Sequence, residues 1–320
     1  MSDYIIRAES LVKEFQLSSS KLTAKGDILH AVNNVSLGVG KGEIFGVVGE
    51  SGCGKSTLGR CLLRLETITS GKVYFEGEDI TDYTGAKLLP LRRNMQMIFQ
   101  NPYASFDPKQ KIGPALREVA SVHKMPKNEA DERILYLLRE INLPEDTLHR
   151  VPSEMSGGQL QRLAIARALL LNPAFIVADE PVSALDVSVQ AQILNLMLEL
   201  REKFSLTMLF ISHEMSVVEH VCDRIAVMYL GTVVEQAETE ELFYNLLHPY
   251  SQSLMSAIPT LHPEDRKERI VLEGDIPSAI NMPKGCPFAD RCFCCTEICR
   301  NERPALRDVG GGHLLACHNR

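Results

Sequence analysis

The chain has 320 residues, 45 % of them hydrophobic and 23 % charged, with a formal net charge of −7 at pH 7. That length buries a full core and leaves room for two units, and the composition is that of an ordinary soluble protein. Mild acidity argues against a sequence-independent DNA binder, which presents a basic surface, and no apolar run of about 18 residues is present to span a bilayer.

The start, Met1-Ser2-Asp3-Tyr4, lacks the charged and apolar layout of a signal peptide. The expected place is therefore the cytoplasm, docked on a membrane through partners. Residues 4–48 alternate short apolar runs with turns, as β-structure does, around a polar loop at 18–26. An apolar run at 44–48 leads into Gly49-Glu50-Ser51-Gly52-Cys53-Gly54-Lys55-Ser56-Thr57, and a helical stretch at 57–65 follows. Residues 73–80 read as a strand with a turn at Glu76-Gly77-Glu78. The pattern turns helical over 112–148, with Ile134, Leu137, Leu138 and Ile141 at three- and four-residue spacing. Another helix follows Ser156-Gly157-Gly158 and ends by Pro173; a buried strand is expected at 175–178, a helix at 188–203 and a strand at 206–211.

Alternating strands and helices indicate an α/β fold with a mostly parallel sheet. The helical stretch between Gln100 and Gly158 is too long for one crossover, so a helical subdomain inserted at about 101–160 is expected. From Pro259 the chain becomes rich in proline, charge and cysteine. That shift divides it into a body at 1–258 and an extension at 259–320. There is no internal repeat.

The nonapeptide from Gly49 fits G-x-x-x-x-G-K-[ST] in its strand–loop–helix context. Glycines at 49, 52 and 54 let backbone N–H groups close around a polyphosphate at a helix N-terminus. Lys55 is expected to reach the β- and γ-phosphates and Ser56 to ligate Mg²⁺. Asp179-Glu180 ends the strand at 175–178, facing the crevice where parallel sheets bind ligands. Asp179 is assigned to the Mg²⁺ shell and Glu180 to polarising the attacking water. Ser156-Gly157-Gly158-Gln159 opens a helix whose N-terminus suits a phosphate, or is simply capped by Ser156. It cannot easily serve the phosphate already held by residues 49–56, which hints at a nucleotide shared between two chains.

Together these motifs resemble the nucleotide-binding subunit of ATP-binding-cassette transporters. Ser156 to Gln159 match that family's signature, with Met155 where leucine is usual. Gln100, after Met97-Ile98-Phe99, matches the Q-loop glutamine, implied to sense Mg²⁺ and the membrane partner. Ser183-Ala184-Leu185-Asp186 match the D-loop, implied to cross a dimer interface, and His213 matches the switch histidine at the γ-phosphate. Phe15 sits where the family's adenine-stacking aromatic lies, although a core Phe is the alternative. The resemblance implies a P-loop NTPase fold with a RecA-like sheet, an antiparallel β subdomain and an inserted helical subdomain. It implies Mg²⁺ held through Ser56, Gln100 and Asp179, and two ATP molecules sandwiched between two such subunits.

The segment Phe99 to Pro108 resembles the Q-loop extension of prokaryotic dipeptide, oligopeptide and nickel importers, in the form of their second ATPase subunit. His248-Pro249-Tyr250-Ser251, Ser256-Ala257-Ile258-Pro259 and Gly274-Asp275-Ile276-Pro277-Ser278 resemble the tail of that branch. The implied partners are a second ATPase subunit, two membrane-spanning permease subunits and, indirectly, an extracytoplasmic binding protein, with no nucleic acid. Tyr103 and Phe106 are then candidates for the groove that receives a permease helix, local packing being the alternative. An importer of nickel or another solute, or a cassette ATPase acting on ribosomes or nucleic acid, are the competing functions. The latter class usually carries two cassettes or a long coiled-coil insertion, and this chain has neither.

Of nine cysteines, Cys53, Cys61 and Cys222 are scattered, and Cys286, Cys292, Cys294, Cys295, Cys299 and Cys317 fall in the last 35 residues. In a reducing compartment such a cluster reads as metal-binding before disulfide. Importers of this branch carry the spacing of Cys286, Cys292, Cys299 and Cys317, which the resemblance assigns to a [4Fe–4S] cluster. Zinc is the alternative, and the pair Cys294-Cys295 leaves the ligand set open.

Overall fold

The computed structural model describes residues 4–17, 27–258, 269–275 and 277–320. The polar loop at 18–26, the boundary at Pro259 and Ile276 of the tail motif lie outside the described residues. The chain divides into two compact units. One takes Val39–Glu43 and Asp82–Ile211, with residues up to Ile5; the other takes Ile6–Gly38, Ile44–Thr81 and Ser212–Arg320.

The second unit begins with two long strands, β1 (Tyr4–Gln16) and β2 (Ile28–Gly40), whose apolar positions face inward at roughly every second residue. Ser10, at φ 47°, lies in an irregularity that shifts the pairing register between Glu9 and Val12. After the buried strand β3 (Ile44–Val48) and the helix α1 (Lys55–Leu62), β4 (Ser70–Phe75) pairs antiparallel with β1, placing Phe75 opposite Ile6. Glu76 and Gly77 both adopt positive φ and return the chain as β5 (Glu78–Asp79). The strand expected at 73–80 is thus a hairpin. Its sheet runs β2-β1-β4-β5.

The first unit holds α2 (Leu88–Asn94), β6 (Met95–Ile98), α3 (Ile112–Val122), α4 (Lys127–Glu140), α5 (Gly157–Leu169), β7 (Phe175–Asp179), α6 (Val187–Phe204) and β8 (Thr207–Ser212). The expected helical run at 112–148 breaks at Lys124, which adopts φ 57°, just before Pro126 caps α4. Ile112, Leu116 and Ala120 of α3 and Ile134, Leu137 and Leu138 of α4 are buried where these helices pack together. Strands β6, β7 and β8 are parallel, with Met95 opposite Phe175 and Asp179 opposite Ile211. Their carboxyl ends therefore present Ile98, Asp179 and Ile211 along one edge.

The chain then returns to the second unit as α7 (Met215–Val221), β9 (Arg224–Tyr229), β10 (Thr232–Glu238), α8 (Thr239–Tyr244), α9 (Pro249–Ser256), α10 (Glu297–Asn301), β11 (Arg307–Asp308) and β12 (Leu314–Leu315). Strand β9 lies parallel to β3, and β10 turns back on it through Leu230-Gly231. The Cys-rich extension adds β12 to the edge of β10, with Leu315 opposite Glu235. Leu315 is fully buried there, so the extension shares the core of the unit that carries the phosphate loop. Among the described residues no helix is long and apolar enough to cross a membrane.

Candidate active site

Every residue of β3 is buried, and the strand delivers the chain directly into the loop from Gly49 to Gly54. Close approach fixes Gly49 and Gly54 as glycines. A Cβ on Gly49 would lie 2.1 Å from the Met228 carbonyl oxygen, and one on Gly54 would lie 2.0 Å from that of Ala31. Gly54 also adopts φ 102°, a conformation costly for any residue with a side chain. Lys55 is only 4 % exposed, and its ammonium donates to the carbonyls of Gly49 at 2.7 Å and Glu50 at 3.1 Å. The first turn of α1 contains no acidic residue, so Ser56 and Thr57 open a helix end whose dipole favours an anion. Cys53 is buried beside Lys55, and burial pushes its thiol pKa up.

Glu50 is held from three sides. Its N–H donates to the Tyr250 hydroxyl at 2.8 Å, its carbonyl accepts from Lys55, and its carboxylate pairs with both Nη atoms of Arg291. In the same unit His213 follows β8, where the Ser212 hydroxyl accepts the Glu214 N–H at 3.0 Å and turns the chain. His213 Nε2 lies 3.7 Å from the Glu214 carboxylate and the side chain is 41 % exposed. Phe15 is half-buried on β1, with the Lys13 ammonium 4.4 Å from its ring centre, so it is not a core phenylalanine.

The first unit gathers the remaining candidates. Asp179 is buried at the end of β7. Glu180 adopts φ 46°, rare for a residue with a side chain, and its N–H donates to the Ile211 carbonyl at 3.0 Å. The Gln100 amide donates to the Glu180 carboxylate at 2.9 Å and to the Ser183 hydroxyl at 3.4 Å. Gln190, which sequence reasoning missed, donates to the carbonyls of Val182 and Leu185 at 3.1 Å each and braces the segment leading to Asp186. Asp186 precedes α6 as its cap position, without a side-chain capping bond.

Ser156 does cap α5. Its hydroxyl accepts from Gln159 N–H at 3.3 Å, and the Gln159 side chain accepts from Ser156 N–H at 3.0 Å. Gly157 and Gly158 start the helix itself, and a Cβ on Gly158 would meet Val189 at 2.6 Å. The glycine there keeps this helix end flush against α6. Of the groove candidates, Tyr103 is 48 % exposed, whereas Phe106 is buried with the Arg167 guanidinium 5.7 Å from its ring centre. Only Tyr103 offers a surface.

The six clustered cysteines are all unpaired as disulfides. Cys286 N–H donates to the Cys299 carbonyl at 2.7 Å, and the Cys292 and Cys294 sulfurs lie 3.8 Å apart. Burial pushes the Cys286 thiol up to about 11, and the neighbouring Cys299, Cys317 and Cys295 add to the rise. Yet among the described residues no three Cys, His, Asp or Glu side chains are arranged to hold a metal ion. The [4Fe–4S] cluster expected at Cys286, Cys292, Cys299 and Cys317, and its zinc alternative, are therefore not supported. Cys292 turns its sulfur to Cys294 at 3.8 Å, and among the described residues the sulfurs of Cys286, Cys292, Cys299 and Cys317 are not gathered round one centre.

Compared with known proteins, residues 32–183 match the ABC transporter family and residues 234–299 match the C-terminal region of oligopeptide/dipeptide transporters. The chain is 46 % identical over 318 residues to the oligopeptide transport ATP-binding protein AppF of Bacillus subtilis, covering 98 % of this chain and 97 % of that one. It is 46 % identical to the dipeptide transport ATP-binding protein DppF of Haemophilus influenzae, covering 96 % and 94 %. Among solved structures it is similar to cbiO1 of Clostridium perfringens, part of the ABC transporter complex cbiONQ, at 26 % identity and TM-score 0.66 over 76 % of this chain and 92 % of that one. A dimeric post-hydrolysis state of the ATP-binding cassette MJ0796, bound to ADP and Pi, is similar at 28 % identity and TM-score 0.64, covering 73 % and 98 %.

Proposed function

The chain belongs to the ATPases of the ABC transporter family, with the C-terminal region of oligopeptide/dipeptide transporters, and we propose that it energises uptake of dipeptides or oligopeptides through a membrane transporter. The observation that carries this is 46 % identity, through the C-terminal region, to both an oligopeptide and a dipeptide transport ATP-binding protein. As an ATPase it needs little covalent chemistry of its own; positioning and charge stabilisation supply most of the rate.

The proposed roles follow the motifs. Lys55 takes the β- and γ-phosphates with N–H groups of the loop at 49–57 other than that of Glu50, and Phe15 stacks on the base. Glu180 accepts a proton from the attacking water, and His213 steadies the γ-phosphate. Ser156 to Gln159, with Asp186, serve the nucleotide of a partner ATPase. The hydroxyl of Ser56, the amide oxygen of Gln100 and the carboxylate of Asp179 are the hard oxygen donors that Mg²⁺ takes, and bound Mg²⁺ neutralises charge on the phosphate oxygens. The partners are a second ATPase of the same family and two permease subunits, which place this chain peripherally at the membrane.

Affinity purification from native membranes in mild detergent, with mass spectrometry, tests the assignment. Two multi-span proteins and a second cassette ATPase are expected to co-purify. Ribosomal proteins or nucleic acid in their place would overturn the transport reading.

A further inference from the structure

One side chain of the Cys-rich extension reaches the phosphate loop. Arg291 closes the short turn Ala289–Arg291, directly before Cys292, and its side chain is 8 % exposed. Its guanidinium meets Glu50 as a fork: Nη1 donates to Oε2 at 2.7 Å and Nη2 donates to Oε1 at 3.0 Å. The turn is seated by Phe288, fully buried, whose ring centre lies 5.2 Å from that of Tyr229 and 5.3 Å from that of Tyr250. Tyr250 in turn accepts the Glu50 N–H, and Tyr229 hydroxyl lies 3.4 Å from Arg291 Nη1. The fork is therefore held in place by packing, and a forked guanidinium–carboxylate pair gives both strength and orientation.

Glu50 is an awkward residue for a loop that receives a polyanion. Left unpaired, its carboxylate would repel the triphosphate, or turn to Lys55 and neutralise the ammonium the phosphates require. The Glu50 carbonyl already holds that ammonium at 3.1 Å, so any movement of Glu50 moves Lys55.

We infer that Arg291 is a positioning residue for ATP binding: it neutralises and fixes Glu50, and so makes the affinity of the phosphate loop depend on the seating of the C-terminal extension. The inference rests on residues 49–57 being the triphosphate site. Arg291 acts through Glu50 and touches no reacting atom, so it governs KM for ATP and not kcat.

Steady-state ATPase assays on the full chain test this with Arg291→Ala, Arg291→Lys, the double variant Arg291→Ala/Glu50→Gln, and Lys55→Ala. Arg291→Ala is expected to raise KM for ATP about tenfold with kcat within about twofold, as loss of uniform binding does. Arg291→Lys, which keeps the charge but loses the fork, should fall between; it carries the test if the alanine variant does not fold. The double variant should recover KM to within about threefold of wild type, because the repelling charge is gone. An unchanged KM, or a loss of kcat and thermal stability that Glu50→Gln does not reverse, would reduce Arg291 to a tether and overturn the inference. Lys55→Ala separates the two levels. Retained ATP binding there removes the phosphate-site reading itself, whereas lost binding beside an unchanged Arg291→Ala removes only the role of Arg291.

Discussion

Gln100 donates its side-chain amide to the Glu180 carboxylate at 2.9 Å, while Glu180 itself is held at φ 46° by its N–H bond to the Ile211 carbonyl. The two contacts hold the Glu180 carboxylate and its uncommon backbone conformation in one fixed arrangement at the end of β7.

Glu180→Gln keeps the size and hydrogen-bonding reach of the side chain and removes its basicity. ATP hydrolysis is expected to fall by about 10²–10⁴-fold, the usual contribution of a general base, with ATP binding retained and the closed dimer trapped. Phosphate release and nucleotide-binding fluorescence read the two separately. Turnover within tenfold of wild type would take the base role away from Glu180.

Gly54 and Gly77 both adopt positive φ, at 102° and 84°, but only at Gly54 would a Cβ meet backbone, 2.0 Å from the Ala31 carbonyl oxygen. A Cβ on Gly77 would meet nothing within 4 Å beyond its own chain neighbours. Gly77→Ala should therefore cost about 1 kcal/mol of stability, the conformational penalty alone, and leave ATP affinity unchanged. Gly54→Ala should lower ATP affinity at least tenfold, because the loop must move to admit the methyl. Equal ATP affinities in the two variants would show that close backbone approach is not what the loop glycine serves.

Cys53 is 6 % exposed, and a Cβ on Gly49 would lie 2.9 Å from its sulfur. Its thiol is raised by burial, so maleimide labelling at pH 7.5 should be slow, since the thiolate is the reactive form. Once attached, the label fills space inside the loop, and ATP binding should be lost. Full ATP binding after confirmed labelling would contradict this.

The phosphate loop, the acidic pair at 179–180 and the capped glycine pair at 157–158 were legible because each is a contiguous run whose geometry is local. The strands around them could be read where apolar runs stood alone, as at β3, β7 and β8. The turn between β4 and β5 was read at Glu76-Gly77, but the strands β9 to β12 were not. Part of their pairing is decided by partners distant in sequence, such as Leu315 against Glu235 and Val48 against Val227, and no local pattern encodes such a partner. The same limit hid the Arg291–Glu50 fork, whose members are 241 residues apart, while Gln190 was missed because its side chain acts on two backbone carbonyls, which leave no trace in residue type. Six thiols between Cys286 and Cys317 permit several ligand sets, and spacing does not say which sulfurs face one another; Cys292 lies against Cys294, and Cys295 interacts with Cys299.

His248 gives the unit that carries the phosphate loop a pH dependence whose sign follows from its burial. The side chain is 1 % exposed, caps α9 by accepting the Tyr250 N–H on Nδ1 at 3.1 Å, and lies 5.8 Å from the Phe288 ring centre. Burial pushes its pKa from 6.5 down to about 3, against a backbone hydrogen bond with Ala316 that works the other way. The unfolded chain takes up a proton below about pH 6.5, whereas the folded chain does so only near pH 3. The stability this neutral histidine contributes is therefore complete above about pH 6.5 and is lost as pH falls, by about 1.4 kcal/mol per pH unit. Between pH 7.5 and 5.0 that amounts to about 2 kcal/mol. His248→Asn keeps a capping acceptor and does not titrate, so urea unfolding of the variant should lose about 2 kcal/mol less than wild type over the same interval. If the two lose the same amount, the acid sensitivity of this unit arises from other groups and His248 is protonated in the folded state near its ordinary pKa.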